Sequence, residues 1–183
     1  MYFERLMQPT PVHRPELAPF PAADARPEPG ERFKFLVCVD GSPQSTAALR
    51  FAAMRAHKVG GLLALMHVVE PVEFGEWMSI ADTMEMEQRE EAELLLHDMA
   101  CQVNRLTGLI PELQIRRGQI GEEILSAIQE DGDIHALVVG AAPPSVRRGK
   151  LISWLAGQLA GELEIPLVVV PGNLTDRQID LLA

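Results

Sequence analysis

"FKFLVCVDGSPQSTAALRFAAMRAHKVGG", residues 33–61, decides the architecture. Its opening, "FKFLVCVD", is short, rich in β-branched residues and almost continuously apolar, the pattern of a strand covered on both faces in a parallel sheet. The remainder of the stretch is a helix with punctuation at each end. Ser42 suits the N-cap, Pro43 the first helical position and Gly60 the stop. "LLALMHVVE", residues 62–70, is then a second strand. Strand, helix and strand in that order form a βαβ unit, which makes the two strands parallel and the crossover right-handed.

The pattern repeats downstream. After a loop through Pro71 and Trp77 comes a long helix ending near Thr107, with Gly108 beyond it. Ala92, Leu95, Leu96, Met99, Val103 and Leu106 form its apolar stripe, while "DTMEMEQREE" is polar and projects into solvent. "ELQIRRG" alternates, Leu113 and Ile115 against Gln114 and Arg116, and suits an edge strand with one wet face. "GEEILSAIQEDG" is a third helix with Ile124, Leu125 and Ile128 inward. "HALVVG" is the fourth strand, "SWLAGQLAGEL" the fourth helix and "PLVVVPG" the fifth strand. The fold class is therefore α/β, a single doubly wound parallel sheet of five strands flanked by helices.

Two appendages flank the domain expected over residues 31–172. Residues 1–30 hold Pro9, Pro11, Pro15, Pro19, Pro21, Pro27 and Pro29, half of all the prolines, and read as a flexible Pro-rich arm. Residues 173–183 read as a short helical tail. There Thr175 and Gln178 form a capping box, and Leu174 with Ile179 forms the staple around it.

The formal charge of −10 argues against a nucleic-acid partner, since phosphate neutralisation dominates that affinity. Between Glu73 and Glu93 eight acidic residues face one basic residue, Arg89, which reads as a solvated helix face. Cys38 and Cys101 have neither metal spacing nor a CxxC pattern, so both are expected as buried thiols in a reducing compartment. No apolar run is long enough to span a bilayer and no signal-peptide pattern opens the chain. A cytoplasmic protein without a membrane partner is expected.

A doubly wound sheet binds ligands beyond the carboxyl ends of its strands, where the winding reverses. Here those ends are Asp40, Val69 and Gly140. Asp40 has two readings of equal weight. It can accept from a ribose hydroxyl or a base amine, or it can simply brace the turn before Gly41 and Ser42. His67 and His135 could reach the same crevice, although core or edge roles fit them better. The GxGxxG fingerprint, the P-loop and the GxSxG elbow are absent. "DGSPQS" lacks the paired glycines of a pyrophosphate loop. Ser42 has no base beside it and reads as a cap.

These residues resemble the universal stress protein family. "FLVCVDGSPQSTAALRFAA" is similar to that family's first strand and helix, and "ALMHVVEP" to its second strand. "RRGQIGEEIL" and "HALVVGA…IPLVVVPG" are similar to its third strand and helix and to its last two strands. The resemblance implies a strand order of 3-2-1-4-5 and a homodimer formed through the last strand. It also implies a nucleotide site in which an Asp after the first strand and the backbone near the end of the second hold the nucleoside, here Asp40 and Val68.

Many members bind ATP through G-x2-G-x9-G-[S/T] after the fourth strand. In this chain Gly140 keeps the first position, but Pro143, Ser153 and Trp154 occupy the other three. Pro143 and Pro144 remove two backbone donors, each worth about 1–3 kcal/mol to a charged group, which weakens triphosphate binding by several orders of magnitude. Gly140, Ala142, Arg147 and Ser153 remain candidates for the anion half of the site, with Arg148 and Lys150 adding charge to the same loop. The resemblance therefore implies a regulatory protein with a degenerate ATP motif, acting on protein partners through its dimer surface, arm or acidic helix. No cofactor is certain. The alternative is a sensor holding an adenine nucleotide, ATP or AMP, weakly at Asp40 and Val68. An enzyme is not expected, because no nucleophile–base pair or metal cluster is legible.

Overall fold

A computed structural model describes residues 33–71, 78–142 and 163–183. Its elements are β1 (Lys34–Cys38), α1 (Pro43–Val59), β2 (Leu62–Val69), α2 (Met78–Thr107), β3 (Glu112–Arg117), α3 (Ile120–Glu130), β4 (Ile134–Ala141), β5 (Leu167–Pro171) and a C-terminal helix, Asp176–Leu182. The five strands form one sheet in the order β3-β2-β1-β4-β5, and every pairing is parallel. That is the order the resemblance implies.

Period-two alternation divides the core into two layers. Val37 of β1 is in register with Leu65 and Val138, and with Val170 these side chains meet α1 and α2. Leu36, Met66, Leu137 and Val139 point the other way, toward Ile124 and Ala127 of α3. β1 lies in the middle of the sheet, and its Leu36 and Val37 are fully buried. This is why it is the run with no polar alternation.

The caps of α1 are those its sequence announces. Ser42 accepts a hydrogen bond from Ser45 N, Pro43 opens the helix, and Gly60 ends it at φ 68°. In α2, Ala92, Leu96, Met99 and Val103 are buried, but Leu106 is exposed. A helix of 30 residues is about 45 Å long. It therefore outruns strands of six to eight residues. Leu106 stands on the flank of the stripe beside Gln102 and Arg105, while Val103 is buried.

Two further expectations are corrected. Leu113 is 46% exposed, because it stands near the start of the edge strand β3, where β2 is the only neighbouring strand. Cys38 is buried but Cys101 is exposed, since it lies off the α2 stripe that meets the sheet.

Lys34 is buried at the amino end of β1. Its Nζ donates to Glu112 at 2.9 Å and to Asp131 at 2.7 Å, tying the starts of β1 and β3 to the end of α3. The C-terminal helix has its capping box, with Thr175 N donating to Gln178 Oε1 at 2.9 Å. It docks on α1 by burying Ile179 and by a bidentate pair from Arg50 to Asp180, both contacts at 2.8 Å.

No helix among the described residues is long and apolar enough to cross a membrane. The arm expected over residues 1–30 lies outside the described residues, as does the fourth helix expected over 153–163 apart from its last residue, Leu163.

Candidate functional site

A crevice of about 650 Å³ opens at the carboxyl ends of β1, β2 and β4. Asp40, Val68, Gly140 and Ala142, four of the residues singled out in the sequence, line it together. Arg147 and Ser153 lie outside the described residues, as do Pro143, Pro144, Arg148, Lys150 and Trp154.

Asp40 stands where β1 gives way to the α1 turn. One carboxylate oxygen accepts from Ser42 N at 2.9 Å, so the turn-bracing role is real. Ser45 is buried beneath it, donating to Ser42 O at 2.9 Å and accepting from Asp40 N at 3.4 Å. Desolvation on the crevice wall alone would raise the Asp40 carboxyl. Hydrogen bonds from Ser42 and Ser45 outweigh it and hold the group below the usual aspartate value of 3.8. The result is a carboxylate locked in place and ionised. Burial, with the nearby Asp40 charge, pushes the Cys38 thiol up to about 12. Cys38 is therefore a wall residue and not a nucleophile.

Gly140 has a reason unconnected with phosphate. A Cβ built there would strike the backbone of Gln44 in the first turn of α1. The glycine lets α1 start hard against the end of β4.

Three lining residues carry more of the site than their sequence context suggests. His67, which reads as a core or edge histidine, stands in the crevice, with its Nδ1 2.7 Å from the carbonyl oxygen of Val39. The signal for it is a polar side chain near the carboxyl end of an otherwise apolar strand. Gln88 and Glu91 read as part of a solvated face, but α2 passes close enough to put them on the crevice rim beside Ala92 and Leu95. His135 does not join them. It sits toward the opposite end of the sheet, its ring 4.8 Å from that of Phe33 and its Nδ1 2.5 Å from Asp133 O.

The described lining is acceptor-rich. It carries the carboxylates of Asp40, Glu70 and Glu91 and neither Lys nor Arg. Among the described residues no group of three or more His, Cys, Asp or Glu side chains could hold a metal ion.

The universal stress protein family model matches residues 31–171. No curated protein matches the chain. Among solved structures, the universal stress protein UspA from Lactobacillus plantarum is similar at 18% identity and a TM-score of 0.66, over 76% of this chain and 98% of that one. A universal stress protein from Archaeoglobus fulgidus in complex with dAMP is similar at 20% identity and a TM-score of 0.54, over 76% of this chain and 98% of that one. A universal stress protein family protein from Arabidopsis thaliana with AMP bound is similar at 16% identity and a TM-score of 0.56, over 76% of this chain and 91% of that one. At these identities the likeness is one of fold.

Proposed function

The chain belongs to the universal stress protein family, and on that premise we propose that it is a cytoplasmic, homodimeric regulatory protein that holds an adenine nucleoside or its monophosphate and does not bind ATP tightly. One observation carries the reading. The crevice is built on its nucleoside side, where Asp40 is ionised and braced beside the end of β2. On its anion side the described residues offer Gly140, which the close approach of Gln44 already requires for packing, and Ala142. Pro143 and Pro144, which follow Ala142 in the sequence, have no backbone N–H to donate to a polyphosphate.

The ligands bound by the Archaeoglobus and Arabidopsis proteins, dAMP and AMP, support a monophosphate-sized occupant. A crevice of this size suits one, since pockets for small ligands run from about 300 to 1,000 Å³. The protein works by binding, not turnover. The described crevice pairs no nucleophile with a base, and its thiol is held protonated. Pairing of β5 across a two-fold axis forms the dimer, because β5 is an apolar edge strand whose Val169 is 45% exposed. The dimer surface, the Pro-rich arm and the acidic part of α2 are then the faces left for protein partners.

Thermal denaturation with adenosine, AMP or ATP tests the reading. A rise in Tm with adenosine or AMP at millimolar concentration, and a smaller rise with ATP, is expected. No shift with any of the three would remove the ligand from the proposal.

A further inference from the structure

We propose that His67 reads the ligand of this crevice, offering Nε2 as a hydrogen-bond acceptor and, with Asp40 and Glu91, selecting uncharged nucleosides over nucleoside polyphosphates. The inference rests on the nucleoside-binding reading and adds the residue and the charge rule that set its specificity.

A carbonyl oxygen has no hydrogen to give. The 2.7 Å contact between His67 Nδ1 and the Val39 carbonyl therefore requires the proton to be on Nδ1. In the neutral ring this leaves Nε2 bare, an acceptor on the side of the ring turned away from Val39. Among the described residues no group hydrogen-bonds Nε2. The side chain is only partly buried and lines the cavity, so this lone pair is open to an occupant.

Val39 is 3% exposed and fixed in the sheet by its own N–H, which donates to Met66 O at 2.9 Å. The imidazole is thus pinned to rigid backbone and its orientation is set before any ligand arrives.

The partners around it fix the chemistry. Asp40 stands beside β1 and Glu91 across the crevice on α2, and both side chains are acceptors when ionised. A ligand that satisfies an imidazole lone pair and two carboxylates must bring donors. A nucleoside does so through its ribose hydroxyls and exocyclic amine. A phosphate chain brings only acceptors and negative charge, which these carboxylates repel. Affinity should therefore fall in the order adenosine, AMP, ATP, and added salt should narrow the gap by screening the repulsion.

His67→Asn is the discriminating variant. Its amide nitrogen occupies the place of Nδ1 and can keep the bond to Val39, while nothing replaces Nε2. The expected result is an unchanged Tm without ligand and a loss of about tenfold in adenosine affinity by calorimetry. In the wild-type protein the ¹⁵N resonance of His67 Nε2 should move when adenosine is added, a readout that a purely structural histidine would not give and that stands if the variant fails to fold. Wild-type affinity for adenosine in the Asn variant, an Nε2 resonance indifferent to adenosine, or ATP binding as tightly as adenosine would each overturn the inference and leave nucleoside binding intact. Binding of none of the three ligands to the wild-type protein would overturn both.

Discussion

The backbone carbonyl of Gln44 occupies the space that a side chain on Gly140 would need. The first turn of α1 and the end of β4 are in direct backbone contact at the mouth of the crevice. A glycine that looks like the survivor of a phosphate motif is, in this chain, a packing requirement.

Gly140→Ala should accordingly destabilise the protein by about 1–3 kcal/mol, the cost of forcing an extra carbon into a filled space. Urea denaturation measures it. A neutral substitution would mean that α1 can retreat from β4, and that the glycine is there for another purpose.

Lys34 supplies a second prediction. Its ammonium group is buried between Asp131 and Glu112. Lys34→Ala leaves the pocket without its cation and should cost about 3 kcal/mol, discounted from the fully buried case because Glu112 is half exposed. Lys34→Met keeps the apolar stem and should cost less. Urea midpoints of the two variants check the difference.

The same cluster sets a pH dependence. Burial would raise the Asp131 carboxyl, but the Lys34 hydrogen bond, the Asp133 N–H and the charges of Lys34 and His135 outweigh it and hold the group below its usual 3.8. A depressed carboxyl contributes stability that is present above its unfolded value and lost as pH falls through its folded value. For Lys34 burial acts downward, but the two carboxylates outweigh it and raise the ammonium above 10.5. Its contribution is complete below that value and lost as pH rises through the folded one. Stability should therefore decline below about pH 4 and again in strong alkali. The acid decline should be shallower in Lys34→Met, as urea midpoints across pH would show.

The fold was legible where the signal is local. Ser42, Pro43 and Gly60 mark α1 because caps and stops depend on a residue's immediate neighbours. "FKFLVCVD" and "HALVVG" announce central strands because both faces must be apolar there. What escaped depends on partners distant in the chain. Leu113 and Leu106 read as core, yet Leu113 falls near the start of the edge strand and Leu106 on the flank of the α2 stripe. Cys101 belongs to an apolar helix run, but its place on the circumference sends it outward. His67 reads as able to reach the crevice but better suited to a core or edge role; what holds its ring at the crevice is the Val39 carbonyl, distant in the chain. Lys34 gains its role from Glu112 and Asp131, which no spacing brings together. Of the candidate site, Asp40 was legible as a brace of its turn and as a residue at the crevice, whereas the place of Gln88 and Glu91 of α2 on the rim was hidden in an ordinary charge run.

The C-terminal helix is fastened to α1 and is part of the core. Ile179 is 1% exposed and packs with Val103 and Leu49 in one cluster. Ile179→Ala should cost about 2–5 kcal/mol, and Thr175→Ala about 1 kcal/mol through the lost cap. Chemical denaturation of both variants checks the ranking, which would reverse if the helix were only loosely attached.

The proposed dimer should depend on the edge of β5, beyond which no strand pairs among the described residues. Val169→Lys places a charge on that edge and is expected to give a monomer in sedimentation velocity, with the fold retained by circular dichroism. A variant that stays dimeric would place the interface elsewhere.

The decisive experiment is isothermal titration of the purified wild-type protein and of Asp40→Ala with AMP, alongside wild type with ATP and magnesium. Measurable AMP binding by the wild type is expected, with a loss of about tenfold or more in Asp40→Ala and weaker binding of ATP than of AMP. ATP binding more tightly than AMP, or AMP binding indifferent to Asp40, would refute a crevice built for the nucleoside and not for the polyphosphate.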